Sequence, residues 1–216
     1  MTEVVGAIHE FHDADYVRDW AERFVPTAPR LELFSLVLEQ ISRLGAETKH
    51  VVEPGIGPGY MARYILEREA EITYEGAHFS NLMFDVARAT IGELMERVTL
   101  TSANLLDNSW PSTLSRQPGA IISTWALHDL GGQQAVVDVY ARCFEALPAG
   151  GVLINGDFIK PEGTSLEYEP GRFAIARHFE LLQAAGFRDL QCLAELEPNF
   201  VDPSGGQNYA RLIARA

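Results

Sequence analysis

The sequence predicts an α/β chain built on a single doubly wound, mostly parallel seven-stranded sheet with a C-terminal antiparallel strand. Three observations carry that prediction. Short apolar runs of strand character alternate with segments of helical periodicity along most of the chain. A glycine-rich turn, VVEPGIGPGY at residues 51–60, directly follows the first such run. The last two runs are joined by EPNFVDPSGGQN, whose prolines and adjacent glycines do not suit the crossover helix that parallel neighbours need. At 216 residues the chain has room for one substantial α/β core, and 47% hydrophobic with 22% charged residues is an ordinary globular composition.

Taken in order, residues 1–30 read as an N-terminal helical segment outside the sheet, and residues 31–216 as the domain itself. Within the first segment Tyr16, Trp20 and Phe24 recur at i, i+4 and i+8 and give one aromatic helix face. Leu31, Phe34, Val37, Leu38, Ile41 and Leu44 then mark an amphipathic helix that Gly45 stops. The first strand covers residues 49–53, a helix 60–67 and the second strand 71–76. A helix over 82–95 follows, with Leu82, Val86, Ala89 and Glu93 as one stripe and Ile91 and Leu94 beside it. The third strand is 97–102, the fourth 120–124, a helix 133–147 and the fifth strand 152–155. Residues 161–171 read as a loop, and a helix ends at 185 before Gly186. Alternation at Leu190, Cys192, Ala194 and Leu196 gives the sixth strand, and 209–214 the seventh. Strands so continuously apolar belong in a sheet covered on both faces, where ligands bind at the carboxyl ends.

Charge narrows the function classes. Lys plus Arg is 17 against 30 Asp plus Glu, a net charge of −13, which repels phosphate backbones and anionic membranes. The partner expected is a small molecule or a protein, not a nucleic acid or a membrane. The first 20 residues lack a basic start followed by an apolar run, and no segment approaches the roughly 20 apolar residues of a membrane helix, so a cytoplasmic location is expected. Cys143 and Cys192 lie far apart and read as buried small hydrophobes. His9 and His12 near Asp13 and Asp15 lack further ligands, so no metal site is expected.

Five motifs in order, VVEPGIGPG, GAHFSNLMFDVA, ANLLD, STWALHDL and LPAGGVLINGDF, resemble those of the class I S-adenosylmethionine-dependent methyltransferases, from about Leu31 to the C-terminus. The resemblance implies S-adenosyl-L-methionine as cofactor and in-line methyl transfer to a small acceptor. It implies that Glu53 orients the methionine end and that Gly55, Gly57 and Gly59 let the backbone approach the ligand. His78 stands where the family places an acid that accepts from both ribose hydroxyls, and Phe79 would pack on adenine. Asn104 replaces the usual Asp facing the adenine amino group, Leu105 would add apolar contact, and Ser123 joins the cofactor wall. His128 would be a base or a substrate contact, the alternative being a helix-capping role. Tyr16, Trp20 and Trp125 are placed on the acceptor side, the first two on a lid; packing without ligand contact is the alternative. The fourth strand ends in STWAL, unlike the Asn/Asp-Pro-Pro-aromatic run of adenine-N6 methyltransferases.

Two other readings stay open. His78 and Asn104 suit a non-catalytic domain of this fold acting through protein contacts. Glu75, about 20 residues after the glycines, suits a nicotinamide oxidoreductase, although the spacing is GxGxG rather than GxGxxG and Glu53 would repel a pyrophosphate.

Overall fold

A computed structural model describes residues 9–45, 48–196 and 208–216. Seven strands form one sheet: β1 His50–Pro54, β2 Thr73–His78, β3 Val98–Ser102, β4 Ala120–Thr124, β5 Val152–Phe158, β6 Arg188–Leu196 and β7 Tyr209–Arg215. Their order is β3-β2-β1-β4-β5-β7-β6. All neighbours are parallel except β7, which runs antiparallel to both β5 and β6 and is inserted between them. The strand order reverses between β1 and β4, the position where doubly wound sheets open a crevice.

Among the described residues six α-helices accompany the sheet: α1 Ala14–Arg23, α2 Ala28–Ile41, α3 Tyr60–Leu66, α4 Asn81–Ile91, α5 Gln133–Ala146 and α6 Ile175–Ala185. Successive strand residues point to opposite faces, and the two cores divide accordingly. Val51, Ile122, Ile154 and Ile213 pack with Val37, Ile65 and Phe84 from α2, α3 and α4. Val52, Ile121, Leu153 and Ala214 pack with Val139, Cys143 and Leu182 from α5 and α6. Near-continuous apolar runs are therefore required in the central strands β1, β4 and β5, which are buried on both faces.

Several boundaries differ from the sequence reading. α2 begins at Ala28, with proline in its first turn, so the division at residue 30 falls inside a helix. α4 ends at Ile91, because Gly92 takes φ 62°, and a 3-10 segment Gly92–Arg97 completes the connection. Its buried residues are Met83, Phe84, Ala87 and Ile91, not the Leu82, Val86, Ala89 and Glu93 stripe. Both stripes have helical spacing, and the one without a carboxylate is buried. β5 continues three residues past 155 because β7 pairs with it as far as Phe158 opposite Tyr209. Cys143 is buried as expected, whereas Cys192 lies exposed on β6, the sheet's edge strand. Most of the segment joining β6 to β7, residues 197–207, lies outside the described residues. No helix among the described residues is long and apolar enough to cross a membrane.

Candidate functional site

A cleft of about 1020 Å³, measured to its open mouth, lies over the carboxyl ends of β1, β2 and β4. Its floor is the glycine loop with Ala77, His78 and Phe79, and one wall is Thr124, Trp125 and Ala126. The N-terminal segment closes it with Phe11, Trp20 and Phe24.

The glycine loop is tied to β2, since the Gly55 and Ile56 amides donate to the Ala77 carbonyl at 2.8 and 3.3 Å. Its glycines serve different ends. A Cβ on Gly55 would stand 2.6 Å from the Ala126 Cβ, and one on Gly59 would stand 3.0 Å from the Ile91 side chain. Both allow close packing of the protein on itself. A Cβ on Gly57 would meet only ordinary contacts, the nearest being Trp20 at 3.8 Å, and Gly55 and Gly57 border the cleft while Gly59 does not. Gly57 is therefore the position where backbone approach to a ligand is at stake.

Glu53 ends β1 and borders the cleft while remaining 1% exposed. Its carboxyl accepts from the Tyr74 hydroxyl at 2.8 Å and from Thr124 Oγ1 at 3.3 Å. Burial outweighs these bonds and pushes its pKa up to about 8, so it is mostly protonated at neutral pH. A cationic ligand group beside it would favour ionisation.

His78, at the end of β2, borders the cleft and accepts the Ser80 backbone N–H on Nδ1 at 3.0 Å. Burial lowers its pKa to about 4. The same Nδ1 lies 3.3 Å from the Ser80 carbonyl; the shorter contact with the amide assigns the proton of the neutral ring to Nε2, which then offers a ribose a donor rather than an acceptor. Phe79 and Leu105 also border the cleft. Asn104 does not; its Oδ1 accepts the Leu106 amide at 3.0 Å in a local turn after β3. Ser123 is likewise behind the wall, its hydroxyl donating to the Pro54 carbonyl at 3.3 Å. The next residue, Thr124, takes the place on the cleft because side chains alternate along a strand.

Trp125 lies on the cleft with φ 51°, a left-handed conformation uncommon for an aromatic residue. Its amide donates to the Gly156 carbonyl at 2.8 Å, and its ring stacks on Tyr209 at 5.1 Å. Two arginines bear on the same ring, Arg30 at 4.9 Å and Arg211 at 6.0 Å.

His128 follows the strained turn, between cleft-bordering Ala126 and Asp129, although its own side chain faces β5. Its Nδ1 is 2.6 Å from Asp157 Oδ1. Asp157 is fixed in turn by the amides of Leu127, His128 and Phe158 at 2.9, 3.1 and 2.8 Å. Burial disfavours the imidazolium, the Asp157 carboxylate favours it, and the balance leaves the His128 pKa above its usual value. The arrangement is a carboxylate-oriented imidazole whose Nε2 lies 3.3 Å from Asp129 Oδ1, a second carboxylate that favours its charged form.

On the lid, Trp20 and Phe24 stack at 4.2 Å, and Phe11 packs against Trp20, His78 and Phe79 at 5.0, 5.8 and 6.2 Å. Tyr16 contacts Phe11 at 5.8 Å but stands outside the cleft. Phe11, Arg30, Thr124 and Asp157 were not singled out from the sequence. Phe11 precedes the aromatic stripe and Arg30 sits at a helix start, so periodicity gave no signal; Asp157 lay within LPAGGVLINGDF.

Glu75 faces away from the cleft's chemistry. Fully buried, it accepts from the Ser115 amide at 2.9 Å, from the Ser115 hydroxyl at 2.5 Å and from Thr101 at 2.5 Å. It cannot serve a nicotinamide ribose without losing those bonds. Among the described residues no cluster of three or more His, Cys, Asp or Glu side chains has a geometry that would hold a metal ion.

The chain has the fold of the class I methyltransferases. An O-methyltransferase family protein from Burkholderia thailandensis superposes with a TM-score of 0.72 at 17% identity, over 95% of this chain and 61% of that one. Human N-acetylserotonin methyltransferase in complex with S-adenosylmethionine gives 0.64 at 13%, over 95% and 57%. The cyclase SpnF gives 0.64 at 17%, over 85% and 79%. Against the first two the chain spans about three fifths of the length. No protein-family model and no curated protein matches the sequence.

Proposed function

We propose that the chain binds S-adenosyl-L-methionine in the cleft and transfers its methyl group to a small acceptor. The observation that carries this reading is the succession of cleft residues at the ends of consecutive strands: Glu53 near the end of β1 with Gly57 beyond it, His78 closing β2 with Phe79 beyond it, and Leu105 after β3. The same strand ends serve the family it resembles, and a neighbour of this fold is described in complex with S-adenosylmethionine. The residues suit the group: Gly57 leaves space above the backbone, Phe79 offers an apolar ring and Glu53 can ionise beside a cationic amino end.

When bound, the cofactor supplies a methyl group on a positively charged sulfur. The chain's own residues then position and desolvate. Phe11, Trp20 and Phe24 exclude water from the roof, and Trp125, held in its strained turn and packed with Tyr209 and Arg30, borders the acceptor side. His128, oriented by Asp157, stands behind the cleft wall with Nε2 3.3 Å from Asp129 Oδ1, so Asp129, which borders the cleft, links it to the proton of a hydroxyl acceptor.

The second reading is a protein of this fold without methyl transfer. It is favoured by the internal engagement of His78 Nδ1 and Asn104 Oδ1, and by a cyclase among the structural neighbours. Thermal-shift titrations with S-adenosylhomocysteine, S-adenosylmethionine and NADH separate the readings. Saturation at about 100 times the dissociation constant stabilises a fold by roughly 2.7 kcal/mol. A shift with the adenosyl amino acids alone is expected; none with either would remove the cofactor assignment.

A further inference from the structure

Arg30 is unusual among the arginines of this chain. Arg18, Arg63, Arg88 and Arg172 each pair with a carboxylate close in sequence, and Arg97 donates to the carbonyls of Leu66, Glu69, Ala70 and Ile72. Arg30 instead borders the cleft with its guanidinium carbon 5.0 Å from the Phe24 ring and 4.9 Å from the Trp125 ring. Among the described residues its one hydrogen bond is a long one, from Nη1 to the Phe24 carbonyl at 3.4 Å. Burial lowers its pKa, and the group opposing that effect is the Tyr209 phenol, not a carboxylate. Stacking occupies the faces of a guanidinium and leaves its N–H groups, which lie in its plane, to a ligand.

A second cation reinforces the field. Arg211 is fully buried, donates Nη2 to the Tyr209 hydroxyl at 2.8 Å, and among the described residues leaves Nε and Nη1 without hydrogen-bond partners. Its guanidinium lies over the Gly156 backbone, where a Cβ would come within 2.2 Å of it. Glu53, the carboxyl that feels this charge, is mostly protonated near pH 7 and does not neutralise it. In a chain of net charge −13, two guanidiniums therefore bear on the single Trp125 ring, and among the described residues neither forms an ion pair with a carboxylate.

We propose that Arg30 is a carboxylate-binding residue, holding the anionic end of a ligand beside the Trp125 ring. A carboxylate matches the guanidinium edge with two parallel hydrogen bonds. The inference rests on the reading of the cleft as an adenosyl-ligand and acceptor site, and the carboxylate belongs either to the amino-acid end of the cofactor or to an acidic acceptor.

Calorimetric titration of the native protein, Arg30→Gln and Arg30→Lys distinguishes the two. The probes are S-adenosylhomocysteine, 5′-methylthioadenosine, which lacks the amino-acid end, and benzoate added to each protein alone and to its adenosyl complex. Arg30→Gln is expected to weaken S-adenosylhomocysteine by about tenfold or more, the scale of a charge-assisted hydrogen bond, while leaving 5′-methylthioadenosine within about twofold. Unchanged binding of both, with loss of benzoate binding seen in the native protein, would assign the residue to the acceptor instead. Arg30→Lys is expected to recover part of whichever affinity is lost, since the charge remains. The proposal is overturned if Arg30→Gln alters none of the three, if it weakens both adenosyl compounds equally, or if lysine recovers nothing. Should neither adenosyl compound bind the native protein, the cofactor reading fails, and the benzoate arm alone then decides for or against the anchor.

Discussion

The Ser80 backbone N–H donates to His78 Nδ1 at 3.0 Å and so fixes which nitrogen of the imidazole faces outward as a donor. The same serine's hydroxyl donates to the Phe11 carbonyl, so the end of β2, the start of α4 and the lid meet at one point. With the His78 pKa near 4, the ring stays neutral through the physiological range. A ribose hydroxyl at this corner would therefore be an acceptor to Nε2–H, not a donor.

His78→Asp reverses that polarity. A carboxylate can accept the Ser80 amide and still accept from ribose hydroxyls, so S-adenosylhomocysteine is expected to bind about tenfold tighter, corresponding to roughly 1.4 kcal/mol. Calorimetry measures it. Weaker binding by the variant would show that the native donor is itself the recognition element.

Gly57 and Gly59 should separate ligand binding from packing. Gly57→Ala places a methyl group on the cleft at ordinary distance from Trp20, so the expected outcome is weaker S-adenosylhomocysteine binding with a stability cost of about 1–2 kcal/mol from φ 51°. Gly59→Ala drives a methyl group to 3.0 Å from Ile91 at φ 81° and should lower the melting temperature further while affecting affinity less. The opposite ranking of affinities would relocate the ligand towards α3.

Much of the fold was legible because burial on both faces writes itself into the strands: Val51 and Val52, Ile121 and Ile122, Leu153 and Ile154 are apolar at adjacent positions. The reversed β7 was legible from turn chemistry after residue 196. The site was legible where residues follow a strand end directly, as Glu53, His78 and Leu105 do. It was not legible where one step along the chain changes the face: Ser123 turns behind the wall while Thr124 borders the cleft. Nor could spacing reveal that Gly59 serves α4, that Asn104 closes its own turn, or that Glu75 is sealed by Ser115 from 40 residues away. Those are tertiary contacts between distant segments.

Glu53 should make the protein less stable as pH rises. Its usual value is 4.5 and its folded value about 8, so between these limits the unfolded chain has lost a proton that the folded chain keeps. Stability therefore falls from pH 4.5 to pH 8, by roughly 4 kcal/mol at most for a shift of this order. Glu53→Gln removes the ionisation while retaining an acceptor for Tyr74, and is expected to flatten this slope and raise stability at pH 8. Denaturant midpoints across that range check it; a variant with the native slope would place the titrating group elsewhere.

Asp157 should set the proton affinity of His128. In the native protein the carboxylate offsets burial and holds the imidazole pKa above 6.5. A raised folded pKa contributes stability that is present in full below 6.5 and is lost as pH rises through the folded value. Asp157→Asn keeps the side-chain shape but removes the larger of the charges that oppose burial, leaving Asp129 as the remaining carboxylate at the ring, so the His128 pKa is expected to fall and the stabilisation at low pH to shrink. Histidine ring resonances followed by NMR through pH 5 to 8 measure the shift directly, without knowledge of the acceptor. If the variant's His128 titrates where the native one does, the 2.6 Å contact is not governing its charge, and the orientation of a base by Asp157 has to be abandoned. If it titrates lower, a methyl acceptor with a hydroxyl nucleophile should show the acid limb of its rate profile moving down by the same interval, because that limb reports the neutral imidazole.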